Sequence, residues 1–135
     1  LIIGCGYVGA RLARQYLDRG EGVLGLVRSD EGVARLSALG IPGIRKDLAR
    51  DDLDDLPLQG AQVFHLAPPP ARGVEDTHTR SLVAAFARAG HPGRVVYVST
   101  TGVYGDRTEV DETTPAAPWW GSSRPGERAT RARAW

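Results

Sequence analysis

The residues best placed to do chemistry stand at the front of the chain. There "LIIGCGYVGARL" reads as an apolar strand end, a glycine-rich turn and a helix start. Gly4, Gly6 and Gly9 match G-x-G-x-x-G within Gly4-Cys5-Gly6-Tyr7-Val8-Gly9. In such a turn the first glycine permits a tight bend, and the second lets a diphosphate come against the backbone. The third lets the helix pack closely on the strand. Unpaired N–H groups and the positive dipole end of the helix then face the anion. The motif carries weight only between a strand and a helix, which is the context here. Cys5 fills the turn as a small residue, and nothing near it points to metal or redox work.

A second clue concerns which dinucleotide would fit. NAD sites place Asp or Glu about 20 residues after the glycines, where it holds the ribose hydroxyls. Here the second apolar run ends in "LVRSD", so Arg28 stands where the acid would be. A guanidinium suits a 2′-phosphate, and Ser29 could add a hydrogen bond. The lean is therefore to NADP, with Asp30 keeping NAD open.

These residues need a scaffold, and the hydrophobic pattern supplies one. Residues 1–3 read as a strand end, 7–19 as a helix, 22–28 as a strand and 30–40 as a helix. Asp30 is the expected cap of that second helix, and Gly20 and Gly40 are expected stops. Strands follow at 43–48, 61–67 and 93–100, with a further helix over 76–89. Val8, Leu12, Tyr16 and Leu17 are expected on one helical face, and Leu82, Val83 and Phe86 on another. Strands alternating with helices predict an α/β fold, a Rossmann-like doubly wound parallel sheet in three layers. "PPPARG" (68–73) and "TTPAAPWWGSSRPG" (113–126) are irregular stretches suited to loops bordering a site.

Composition narrows the function. The 135 residues are 41% hydrophobic and 24% charged with a net charge of +1, which argues against nucleic acid or an anionic membrane as partner. No apolar run approaches the roughly 20 residues that span a bilayer. One cysteine cannot form an internal disulfide, so a reducing cytoplasm is expected. There is no methionine, only Leu1–Ile3 precede the glycines, and the chain stops in "ERATRARAW". It is expected to be the front of a longer protein, a Rossmann domain over 1–135 without its substrate-binding part.

At "VVYVSTTGVYGD" the chain resembles the extended and atypical short-chain dehydrogenase/reductases, the NAD-dependent epimerase/dehydratase group. Three further segments resemble that family in the right order: "AQVFHLA" in the fourth strand, "VDETTPAAP" downstream, and Asp47-Leu48 after the third strand. The prefix "GCGYVG" alone also resembles UDP-sugar dehydrogenases, which do not share "STTGVYG". The resemblance implies that Gly4, Gly6, Gly9, Arg28, Asp47, Leu48 and the Leu66–Ala67–Pro68 turn line the cofactor. It implies that Thr100, four residues before Tyr104, bonds the reacting oxygen of a small-molecule substrate. It also implies pairing through two helices into a homodimer. His65 and Tyr97 are expected to be packing residues, Asp76, Thr77 and His78 a helix start, and "DRTEVDE" (106–112) a solvated loop.

The family's chemistry rests on Tyr-x-x-x-Lys, in which the ammonium lowers the pKa of a phenol on the same helical face. The tyrosines here are Tyr7, Tyr16, Tyr97 and Tyr104, and Lys46 is the sole lysine. Aligning "TTPAAP" without gaps puts Ser122 and Gly126 at the dyad positions, and a two-residue shift puts Arg124 and Arg128 there. Guanidinium is a poor proton acceptor. Tyr104 is the remaining phenol near Thr100. The expected function is an NAD(P)-dependent oxidoreductase or epimerase/dehydratase-like protein acting on a carbonyl, alcohol or nucleotide sugar. The alternative is a non-catalytic NAD(P)-binding sensor.

Overall fold

In the computed structural model the side chains of one short strand already define the layers. Ile2 and Ile3 are both buried, and alternation sends them to opposite faces of the sheet. Ile2 joins Cys5, Ala13, Val27, Leu36 and Ile41 in one core, whereas Ile3 joins Leu26, Leu48, Val63, Leu82 and Ala85 in another. The structure describes residues 1–70, 75–98, 104, 107 and 109–116.

The elements in chain order are β1 (Ile2–Ile3), α1 (Tyr7–Leu17), β2 (Gly25–Val27), α2 (Asp30–Ala38) and β3 (Gly43–Arg45). They continue with β4 (Gln62–His65), α3 (Thr77–Ala89) and β5 (Arg94–Tyr97). The strands are all parallel in the order β3-β2-β1-β4-β5. Helices α1 and α2 cover the face of Ile2, and α3 covers the face of Ile3. The strand order reverses between β1 and β4. In open α/β sheets that is where ligands bind, outside the carboxyl ends of the strands.

Strands are shorter than the apolar runs predict. The run 22–28 yields only Gly25–Val27 and 61–67 only Gln62–His65. An apolar run reports burial, while a ladder also needs a partner, and β1 offers two residues to each neighbour. Of the run 93–100, Arg94–Tyr97 is strand, and its last two residues lie outside the described residues.

Two helix faces also differ from expectation. Val8 is 65% exposed, and α1 buries Gly9 and Ala13 instead. Val83 is 48% exposed, while Leu82 and Ala85 are buried. The cap of α2 is Ser29, whose Oγ accepts from the Gly32 N–H at 3.2 Å, and Asp30 is the first helical residue.

The β3–β4 connection contains no helix or strand, yet it buries Leu48, Leu53, Leu56 and Leu58 in the core beneath α3. Lys46 fastens it, with Nζ 2.8 Å from Asp55 Oδ1 and 2.8 Å from the Asp52 carbonyl. Arg88 of α3 donates from Nε to both carboxylate oxygens of Asp54, at 2.8 and 2.9 Å.

This sheet belongs to one compact unit, Leu1–Pro68 with His78–Val98, and the remaining residues form a second. In the second, the Asp111 carboxylate accepts from the Thr113 N–H and from the Thr113 and Thr114 hydroxyls. Those bonds, the Thr113 hydroxyl foremost, hold its carboxyl below the usual range. Glu109, Asp111 and Glu112 are exposed.

Candidate nucleotide-binding site

The turn after β1 takes its shape from three differently constrained glycines. Gly4 has φ +80°, a region L side chains rarely adopt, and a Cβ there would lie 2.6 Å from both the Ala67 Cα and N. The turn and the end of β4 therefore touch at the strand-order reversal, where the Leu66 N–H also donates to the Ile3 carbonyl at 2.8 Å. Gly9 faces inward, and a Cβ would come within 3.0 Å of Ile2 Cγ2. Gly6 is different: a Cβ would meet only the Gly4 carbonyl oxygen, at 3.9 Å. The space beside it is open to a ligand.

Backbone amides complete the cradle. The N–H groups of Gly4 and Cys5 both donate to the Leu26 carbonyl, at 3.0 and 2.9 Å, and the Gly6 N–H donates to the Gly4 carbonyl at 2.7 Å. Those three are occupied. Among the described residues, no backbone acceptor meets the N–H of Tyr7, Val8 or Gly9. The end of α1 also has no side-chain cap and no acidic residue in its first turn. An anion is the natural complement of three such donors at a positive helix end.

The other expected residues divide by what their side chains touch. Tyr7 is 77% exposed at the mouth of the turn, and its hydroxyl accepts from Arg11 Nη1 at 2.7 Å. Val8 is exposed beside it. Arg28 is exposed at the end of β2, and no carboxylate pairs with it among the described residues. Asp47 is half-buried: its Oδ1 accepts from the Ala49 N–H, and its own N–H donates to Asp51 Oδ2. Leu48 is a core residue, so only its backbone could reach a ligand. Leu66 and Ala67 are partly buried and Pro68 is exposed.

Cys5 is wholly buried and presents neither its thiol nor its N–H to the turn's open side. Burial pushes its thiol pKa up, with the Arg35 charge opposing. Thr100 lies outside the described residues. Tyr104 is half-buried in the second unit.

Two histidines brace the rim. His65 is buried as expected of a packing residue; its Nε2 lies 2.8 Å from Thr79 Oγ1 and its ring meets Tyr97 edge-on at 5.3 Å. Sequence reasoning placed His78 at a helix start but missed its task. Its Nδ1 donates to the Pro68 carbonyl at 3.0 Å, tying the turn after β4 to α3. No local pattern could have signalled a bond across that distance.

A parallel sheet with a glycine turn and an uncapped helix at its switch point defines a Rossmann-type nucleotide-binding fold. The pattern of the NAD dependent epimerase/dehydratase family matches residues 1–125. The chain belongs to that family. Over 123 residues it is 34% identical to a Synechocystis sp. protein provisionally named dihydroflavonol 4-reductase, covering 82% of this chain and 35% of that one. It is similar in fold to a Bacillus cereus UDP-glucuronic acid 4-epimerase variant (TM-score 0.65, 22% identity, 87% of this chain and 45% of that one). A Silicibacter pomeroyi protein of unknown function is also similar (TM-score 0.63, 28% identity, 87% and 40% coverage). The chain thus spans about a third of its curated relative and under half of these structures.

Proposed function

We propose that this chain is the NAD(P)-binding portion of a longer oxidoreductase or epimerase/dehydratase-like enzyme. The open first turn of α1 carries the reading: three amides without a backbone acceptor among the described residues, an open side at Gly6, and no acid in the first turn. The residues fit the cofactor. The amides of Tyr7, Val8 and Gly9 would take the diphosphate, Asp47 and the backbone of Leu48 would lie at the adenine end, and Ala67–Pro68 would border the nicotinamide side. A bound nicotinamide supplies hydride transfer. A small carbonyl, alcohol or nucleotide sugar is the substrate class, matching the named relatives.

Thr100 is assigned to the reacting oxygen and Tyr104 to proton transfer. Lys46, the sole lysine of this sequence, is engaged by Asp55, and no Tyr-x-x-x-Lys spacing occurs in the 135 residues, so the proposal assigns the proton to no such pair. Water or a residue of the longer protein would then help carry the proton. Membership of the family favours an enzyme over a cofactor sensor. The lone cysteine supports a cytoplasmic setting, and a homodimer is the expected assembly.

Arg28 makes the reading NADP-leaning, because an exposed guanidinium at the end of β2, without a carboxylate partner among the described residues, suits a 2′-phosphate. Fluorescence titration of the full-length protein with NADPH and NADH tests both points. Arg28→Glu is expected to weaken NADPH at least tenfold and leave NADH within threefold. Equal loss for both nucleotides would remove Arg28 from phosphate recognition, and no binding of either would overturn the function.

A further inference from the structure

The chain that leaves β4 runs into Pro68, Pro69 and Pro70. None of the three has a backbone N–H, so over this stretch the backbone can be held only through its carbonyls. Ala67 and Pro68 each precede a proline, which confines both to extended backbone. The exit from β4 is therefore stiff, and one bond at its base constrains it more than it would a flexible loop.

Helix α3 supplies that bond. His78 donates from Nδ1 to the Pro68 carbonyl at 3.0 Å, and among the described residues no backbone N–H reaches that carbonyl. A carbonyl only accepts, so the proton must sit on Nδ1. One residue on, Thr79 Oγ1 lies 2.8 Å from Nε2 of the buried His65. Two successive residues of α3 thus fasten two points, one inside β4 and one just past its end. The fastenings differ in kind. His65 is already fixed by its register with Ile3 on one side and Tyr97 on the other, whereas Pro68 lies beyond the ladder. His78 acts on backbone that the sheet does not hold. The residue before it, Ala67, backs onto the glycine turn, its Cα 2.6 Å from where a Gly4 Cβ would stand. The course of the backbone after Ala67 therefore decides what wall stands beside that turn.

We propose that His78 is a positioning residue for the nicotinamide half of the cofactor. It acts through the Pro68 backbone rather than by touching the ligand. It fixes the wall formed by Ala67 and Pro68, while the diphosphate and adenine rest on other residues. This rests on the nucleotide reading above and goes beyond it, giving a residue of α3 a selective hold on one half of the ligand.

The test uses the full-length protein and two ligands that differ only by the nicotinamide. They are NADPH with 2′-phospho-ADP-ribose, or NADH with ADP-ribose, whichever pair the wild type prefers. Calorimetric titration measures both. The wild type is expected to bind the complete nucleotide at least tenfold more tightly than its fragment. His78→Leu should lose about fivefold for the complete nucleotide, the order of one hydrogen bond, and less than twofold for the fragment. His78→Asn, whose amide can stand in for the Nδ1–H, should return to within twofold of the wild type. Retained affinity for the fragment shows that a variant is folded, and His78→Ala replaces His78→Leu if that one unfolds. Equal losses for both ligands, or no loss for either, would overturn the assignment. So would a His78→Asn variant no better than His78→Leu, or a wild type that gains nothing from the nicotinamide. A wild type that binds neither ligand would instead fell the nucleotide reading.

Discussion

Helices α1 and α2 pack on the same face of one sheet, yet their N-terminal ends are finished in opposite ways. The start of α2 is closed: Ser29 accepts from the Gly32 N–H, and Asp30 and Glu31 sit in the first turn. The start of α1 is bare, with Gly6 at the cap position, no side-chain bond and no acid. A serine cap is worth about 1 kcal/mol, and each first-turn acid roughly 0.3–1 kcal/mol. Helix α1 thus forgoes about 2 kcal/mol of ordinary stabilisation. What differs is position. Helix α1 begins at the β1–β4 reversal, against Ala67, whereas α2 begins farther along the sheet after β2. The comparison teaches that one end is completed by its own side chains and the other is bare, as the proposed diphosphate site requires.

The strongest test breaks the bare end itself. Gly4→Ala combines a left-handed φ with a 2.6 Å clash against the Ala67 backbone. Such strain and overpacking together cost about 3 kcal/mol. Urea denaturation should show that loss, and nucleotide binding should disappear with the turn.

Finishing α1 in the manner of α2 sharpens the contrast. Val8→Asp puts an acid into the first turn at an exposed position. Stability should hold or rise by about 0.5 kcal/mol through the helix dipole, while affinity for both nucleotides falls at least tenfold. A variant that kept full affinity would refute the claim that this end receives a diphosphate.

The reverse change opens α2. Ser29→Ala should cost about 1 kcal/mol of stability, the value of a cap, with NADPH affinity changed less than threefold. A larger loss of affinity at unchanged stability would make Ser29 a ligand contact rather than a cap.

The smallest effect serves as a control away from both helix ends. The hydrogen bond from Lys46 holds the Asp55 carboxyl below its ordinary value. A carboxylate depressed by folding adds stability above its unfolded pKa, about 3.9, and that stability is lost as pH falls through the folded value. Lys46→Met should therefore flatten the stability profile slightly below about pH 4 and leave nucleotide binding unchanged.

Much of the fold was legible because burial writes itself into local pattern. Three glycines at fixed spacing between an apolar run and a helical one announced the turn, and the structure shows a physical reason for Gly4, in its positive φ and the Ala67 backbone, and for Gly9, in its approach to Ile2. Gly20 and Gly40 both adopt positive φ just past the helices, as stops do, although α1 itself ends at Leu17, two residues short of the expected 19. The capping of α2 was misread by one residue, because Ser29 and Asp30 are both good caps and only backbone geometry separates them. Periodicity grouped Val8 and Val83 on one face with residues that are more buried, because it counts faces without knowing where the sheet stops. The bond from His78 to Pro68 went unseen, because it spans ten residues between a strand exit and a helix.

The sequence by itself determined the alternation of strands and helices, the bare glycine turn and the family, because each depends on neighbours within a turn or two. Only the tertiary structure decided that Ala67 backs onto Gly4 and that His78 ties down Pro68. Those contacts join positions far apart in the chain, and their geometry follows from strand order and helix packing rather than from any local spacing.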